Sequence, residues 1–112
     1  MQGQTEAVEI MRKAFVVCKQ VSPAVKTGYL YGSYARGDFH SESDVDILLT
    51  AALTQEEISR LRMRIAAVAS ELSLAHNVTV SITVKPEEQF RKYADASPFY
   101  RNVLKEGIPY AG

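Results

Sequence analysis

The apolar positions of this chain change their spacing several times, and each change marks an element. Between residues 5 and 21, Val8, Met11, Phe15 and Cys18 recur at steps of three and four, which places them on one face of a helix. Thr5 stands where an N-cap belongs, with Glu6 in the first turn. Ser22, ahead of Pro23, is biased away from helix and ends it. "VKTGYLY", 25 to 31, reads as a strand, and a Gly-Ser turn follows at 32 and 33. "YARGDF" suits a short helical turn, and "HSES" a polar loop. "SDVDILLTA", 43 to 51, reads as a second strand. Thr54 and Glu57 form a capping box for a helix carrying Ile58, Leu61, Ile65, Val68 and Leu72 on one face. "NVTVSITV", 77 to 84, alternates strictly, with Val78, Val80, Ile82 and Val84 facing one way and Thr79, Ser81 and Thr83 the other. Pro86 suits the start of a further helix. A last helix runs from Ser97, its cap, through Pro98 at the first position, to a stop at Gly107. The order αβ(α)βαβα(α) predicts an α+β fold: a small mixed β-sheet with helices packed on one face.

The 112 residues fit one domain, 1–112, with enough chain for a core without disulfides. Acidic and basic residues balance at 13 each, so bulk charge gives no signal for direct nucleic-acid binding or for an anionic membrane. Cys18 is the single cysteine, which excludes an intrachain disulfide and a multi-cysteine zinc site. It reads as a buried apolar residue, and a reducing cytoplasm is the expected location. No apolar run reaches membrane-spanning length, and the N-terminus has no continuous signal-peptide core.

Against this ordinary background, "YGSYARGDFHSESDVDILL" is anomalous. Aspartate is a poor strand former, and its burial is costly unless the charge is paired or metal-bound. Residues two apart in a strand share a face, so Asp44 and Asp46 can aim both carboxylates at one point while Val45 and Ile47 enter the core. Hard oxygen ligands at that spacing suit Mg²⁺ with substrate phosphates, or a two-metal clamp for in-line phosphoryl chemistry. Gly32 permits close backbone approach to a ligand. Ser33 adds a hydroxyl and an N–H, and a short helix beginning at Tyr34 would present N–H groups to an anion. Arg36, between turn and strand, is placed to pair with phosphate oxygens. Singly, a Gly-Ser pair is a turn, Asp-x-Asp a loop and Arg36 a surface residue. Jointly they point to a nucleoside triphosphate with Mg²⁺.

The same stretch resembles the signature of the minimal nucleotidyltransferases (MNT), within the DNA polymerase β-like nucleotidyltransferase superfamily. Gly32, Ser33, Ala35, Arg36, Gly37, Ser43, Asp44 and Asp46 match its pattern, and "SPFYRNVLKEGIPYAG" resembles the closing segment, in which a helix ends at Gly before a short strand. The resemblance implies Mg²⁺-dependent transfer of a nucleoside monophosphate, commonly AMP from ATP, to an acceptor hydroxyl, with diphosphate leaving. Gly32, Ser33 and Arg36 would hold the triphosphate, and Asp44 and Asp46 would bind metal and carry catalysis. It further implies a HEPN-domain toxin as partner, with this chain as antitoxin.

One departure bears on mechanism. The resemblance implies a third carboxylate on the next strand, whose polar face here offers Thr79, Ser81 and Thr83. Ser81 is the expected vacant position, while Glu87 and Glu88 follow the strand too late. A serine is a weak metal ligand and no general base at neutral pH. The alternative to an enzyme is therefore a catalytically degenerate module of the same fold that binds nucleotide or partner. A small-molecule acceptor would need a pocket built by homo-oligomerisation. Among other residues, His40 reads as exposed loop and His76 as a partner of its helix's C-terminal dipole. Tyr34 is a candidate for stacking on a base. Tyr29 and Tyr31 read as core packing, Phe90, Tyr93, Phe99 and Tyr100 as cover for the core, and Arg60, Arg62 and Arg64 as a solvated face.

Overall fold

The computed structural model describes residues 3–112. Helix α1 (Gln4–Val21) leads to strand β1 (Val25–Tyr31), the four-residue helix α2 (Ser33–Arg36) and strand β2 (Val45–Ala51). Helices α3 (Gln55–Arg60) and α4 (Arg62–His76) precede β3 (Val80–Pro86), and α5 (Glu87–Lys92), α6 (Pro98–Glu106) and β4 (Ile108–Tyr110) close the chain. The strands form one mixed sheet in the order β3-β2-β1-β4. β2 and β3 are parallel, joined through α3 and α4, and the other neighbours are antiparallel.

The alternation of β2 builds two cores. Val45, Ile47, Leu49 and Ala51 face α1, α3 and α4, where Ile10, Met11, Phe15, Ile58, Ile65 and Val68 are buried with them. This is the helical layer expected on one face. Leu48 points the other way and is fully covered by Phe90 of α5 and by Tyr100 and Val103 of α6, beside Tyr29 and Tyr31. The "ILLTA" run is continuous because both its faces are buried at that end. At the N-terminal end of β2 this second cover stops, and Asp46 is only half-buried.

Several boundaries differ from the sequence expectations, each for a tertiary reason. The cap of α1 is Gly3 (φ 118°), not Thr5. Gln4 is helical, and its amide donates to the carbonyls of Tyr34 and Ala35. The capping box at Thr54 and Glu57 is present, but the helix it opens is interrupted at Leu61, whose N–H bonds back to Ile58. β3 begins at Val80 because Asn77 turns left-handed (φ 52°) to end α4, and the Thr79 carbonyl just before it already accepts from the Val45 N–H of β2. His76 does more than meet a dipole: its Nδ1 lies 2.9 Å from Glu6 on α1, and Lys13 Nζ lies 3.4 Å from Nε2. Ser97 caps α6 by accepting from the Tyr100 N–H. The helix stops at Gly107, whose N–H caps the Val103 carbonyl in an extended conformation, and a Cβ there would collide with that carbonyl, so the position accepts only glycine.

The layer is tight where α1 crosses β1. A Cβ on Gly28 would stand 3.2 Å from Leu49 and 3.3 Å from Phe15. Gly28→Val should therefore cost about 1–3 kcal/mol by overpacking, read from the midpoint of urea denaturation. An unchanged midpoint would mean that α1 yields there freely.

Candidate active site

Gly32 ends β1 and turns the chain back across the tip of β2. Its φ is +78°, and a Cβ placed on it would stand 2.5 Å from Asp46 Oδ2. Only glycine combines that backbone conformation with that closeness. The Gly32 carbonyl accepts from the N–H groups of both Ala35 and Arg36, which winds the next residues into α2. That helix begins at Ser33, one residue earlier than expected. Tyr34 is buried and stacked on Phe39, with centroids 4.5 Å apart. It packs the turn onto the core and is not available to a base, contrary to the sequence reading.

The strand expected from residue 43 starts at Val45, so Asp44 is exposed just before it and Asp46 lies within it. The loop ahead is ordered by local bonds: the His40 N–H donates to Ser43 Oγ at 2.9 Å, the Ser43 N–H to the His40 carbonyl at 3.0 Å, and the Glu42 N–H to His40 Nδ1 at 3.2 Å. Ser43 of the motif thus shapes the approach to the aspartates. Burial and the nearby Asp44 charge push the Asp46 carboxyl above its ordinary value, while Arg36 opposes the shift. Arg36 itself is held between Asp38 at 3.2 Å and Glu106 at 3.5 Å. Both pairs are solvent-exposed, so neither binds the guanidinium strongly.

Strand pairing completes the arrangement. Tyr31 is opposite Asp46 in the antiparallel ladder, and Ser81 is beside Asp46 in the parallel one. Paired residues share a face, so Tyr31, Asp46 and Ser81 form one row across three strands. Ser81 is exposed. Glu87 and Glu88 follow Pro86, which pairs with Ala51 at the opposite end of β2, so neither reaches the row. Among the described residues no group of three His, Cys, Asp or Glu side chains forms a metal cluster. Burial and the Asp46 charge raise the Tyr31 hydroxyl's pKa, against a hydrogen bond with Thr83. Tyr31 is a site residue that the sequence left in the core, since its place beside Asp46 depends on strand register. Gly32, Asp44, Asp46, Arg36 and Ser81 are thus gathered at one end of the sheet, with Ser33 on the adjoining turn.

A mixed sheet whose Gly-Ser turn is seated on an Asp-x-Asp strand has the architecture of the nucleotidyl-transferring enzymes. Residues 11–110 match the family model described as the nucleotidyltransferase domain, and the chain belongs to that family. A Methanocaldococcus jannaschii protein named as a protein adenylyltransferase is 39% identical over 83 residues, covering 74% of this chain and 75% of the relative. Among solved structures, a nucleotidyltransferase from Sulfolobus solfataricus superposes with a TM-score of 0.62 at 21% identity, over 96% of this chain and 81% of its own. A chain from the complex of an MNT antitoxin with the tri-AMPylated Shewanella oneidensis HEPN toxin gives a TM-score of 0.50 at 21% identity, over 97% and 70%. At these identities the two structures attest the fold. No helix among the described residues is long and apolar enough to cross a membrane.

The raised Asp46 pKa has a consequence for stability. The folded state holds that proton more readily than the unfolded chain, so stability falls as pH rises from the ordinary aspartate value through the raised one. Asp46→Asn removes the charge. In metal-free buffer its thermal midpoint should exceed that of the wild type at pH 7. The gain should vanish below about pH 3.9, where the carboxyl is neutral in both states. Equal midpoints at pH 7 would contradict a destabilising carboxylate.

Proposed function

We propose that this chain transfers AMP from ATP, with Mg²⁺, to a hydroxyl on a partner protein, and that the partner is a HEPN-domain toxin which the modification silences. The observation that carries this reading is the seat of Gly32 on the Asp46 carboxylate, in a row with Tyr31 and Ser81. Phosphate groups bound along that turn would lie beside the carboxylates, near enough for a shared cation to bridge the two sets of oxygens. The partner and the AMP group are suggested by the adenylyltransferase relative and by the AMPylated HEPN toxin found with a structural neighbour. A nucleotide substrate and a lone buried cysteine fit a cytoplasmic setting.

The donor set fits a divalent cation. Two carboxylates lie close enough for one to raise the other's pKa, and a hard cation between them would relieve that repulsion. Bound there, Mg²⁺ would neutralise phosphate charge and orient the α-phosphate. The chain's own residues do the rest. Gly32 lets the backbone approach the triphosphate, and Ser33 offers its hydroxyl and N–H. Arg36 leaves its exposed carboxylate partners for phosphate oxygens. The acceptor oxygen bonds to the α-phosphorus as the bond to the bridging oxygen breaks. Diphosphate departs, and the acceptor proton passes to solvent. Ser81 cannot take that proton, so catalysis rests on positioning and electrostatics. This serine is also what favours the second reading, a non-catalytic module that restrains its partner by binding.

Incubation of the protein with a HEPN partner, Mg²⁺ and α-labelled ATP should label the partner. The double variant Asp44→Asn, Asp46→Asn should abolish labelling while the complex still forms. An unlabelled partner in a complex that still inhibits it without ATP would replace the first reading by the second.

Ser81→Asp places a carboxylate beside Asp46. It should raise the initial transfer rate about a hundredfold or more, as expected for general-base assistance of ~10²–10⁴-fold. A rate at or below that of the wild type would show that the Ser81 position does not face the acceptor.

A further inference from the structure

Two cavities open on the face that carries Asp46, and one side chain lines both. The first, about 400 Å³, lies between the end of β1 and α6, with Tyr31, Gly32, Arg36, Phe99, Asn102 and Glu106 in its wall. The second, about 530 Å³, follows β3 past Thr83 and Lys85 to Gln89 and Tyr93 and again meets Phe99. Only the first touches the Gly-Ser turn.

Its far wall is one face of α6. Phe99, Asn102, Val103 and Glu106 are spaced i, i+3, i+4, i+7, a single helical stripe. Val103 is buried and anchors the helix to the sheet. That anchoring presents the others to the cavity. The Phe99 ring stands edge-on to Tyr31, with centroids 5.3 Å apart at 83°, and remains 40% exposed. Asn102 lies one turn further on, and its amide has no hydrogen-bond partner among the described residues. Glu106, at the mouth, is one of the two carboxylates paired with Arg36. The volume falls in the range of small-molecule sites. An exposed ring and an unpartnered amide beside the Gly-Ser turn offer the two elements of base recognition: a stacking surface and a paired donor and acceptor for a base edge. Asparagine makes that pair best with adenine, through N6 and N7.

We propose that this face of α6 is the nucleoside subsite, in which Phe99 stacks on the base and Asn102 reads its edge in favour of adenine. The assignment rests on the nucleotidyl-transfer reading and adds specificity to it. It also separates the two cavities by role, leaving the one along β3 to the acceptor.

Equilibrium binding of ATP, GTP, CTP and tripolyphosphate, each with Mg²⁺, tests the assignment. Phe99→Ala should weaken all three nucleotides about tenfold or more and leave tripolyphosphate unchanged, which also certifies that the turn is still folded. Phe99→Tyr should bind as the wild type does. Asn102→Ala, at an exposed position, should erase the preference for ATP over GTP. If Phe99→Ala and Asn102→Ala bind ATP as the wild type does, the assignment is wrong while the turn's phosphate role stands. If Phe99→Ala spares ATP affinity and raises only the KM for the acceptor, Phe99 belongs to the other cavity and the assignment is again overturned. Should the wild type bind neither ATP nor tripolyphosphate, the nucleotidyl reading falls and takes the subsite with it.

Discussion

The contact between the Gly32 backbone and the Asp46 carboxylate is the constraint on which the rest of this molecule turns. A carboxylate at the edge of a core, with a second one near it, is an unfavourable thing to build. Burial and Asp44 both raise its pKa, so the folded chain carries an electrostatic cost at neutral pH. What holds Asp46 in place is apolar. Val45, Ile47 and Leu49 are anchored under α1 and α4, and Leu48 under α5 and α6. Local strain of this kind persists only where surrounding packing over-determines the position. Here both faces of one strand supply that packing within a few residues of the charge.

The two faces contribute differently. The α1, α3 and α4 layer fixes the sheet and is indifferent to chemistry, since between Gly32 and Asp46 only the apolar side chains and Tyr34 (Tyr34, Ala35, Phe39 and Val45) enter it or pack on it. The α5 and α6 layer covers only part of its face, and its boundary defines the site. Where cover is complete, Leu48 and Thr50 are buried. Where it ends, Asp46 and Ser81 meet solvent. α6 is bound into this boundary by Val103 on its buried side and by Gly107 packed on its last turn, and Glu106 reaches from it to Arg36. Motion of α6 would therefore alter the cavity beside the turn, the environment of Arg36 and the cover of Leu48 together.

Local signals in the sequence carried much of this. The bounds of β1, the capping box at Thr54, the Ser97 cap and the stop at Gly107 depend on neighbours in the chain, and a reader of the chain can see them. The motif residues were legible for the same reason: Gly32, Ser33, Arg36, Asp44 and Asp46 lie within fifteen positions. What was missed depends on register and on orientation between elements. Thr5 looked like a cap because the bonds from Gln4 go to α2, thirty residues away. Tyr34 looked available because its burial comes from Phe39 across the loop. Tyr31 joins the site only through its pairing with Asp46. The exposed stripe of α6 has no meaning until Val103 fixes which way the helix faces.

Ser81 is the point at which stability and chemistry oppose each other. Its register beside Asp46 means that a carboxylate there would add a like charge next to a group already pushed up by Asp44. On the proposed reading, such a row would be harder to fold without a bound cation and would depend more heavily on one for its stability. A serine relieves that repulsion at the cost of a ligand and a base. On the proposed reading, the chain is then left with an apo state that two carboxylates strain only moderately, and with catalysis that depends on how well the acceptor is positioned. A flexible small molecule supplies little positioning of its own. An acceptor carried on a folded partner arrives with its hydroxyl already oriented. The missing acid therefore weighs in favour of a protein acceptor for the same physical reason that it weakens the site.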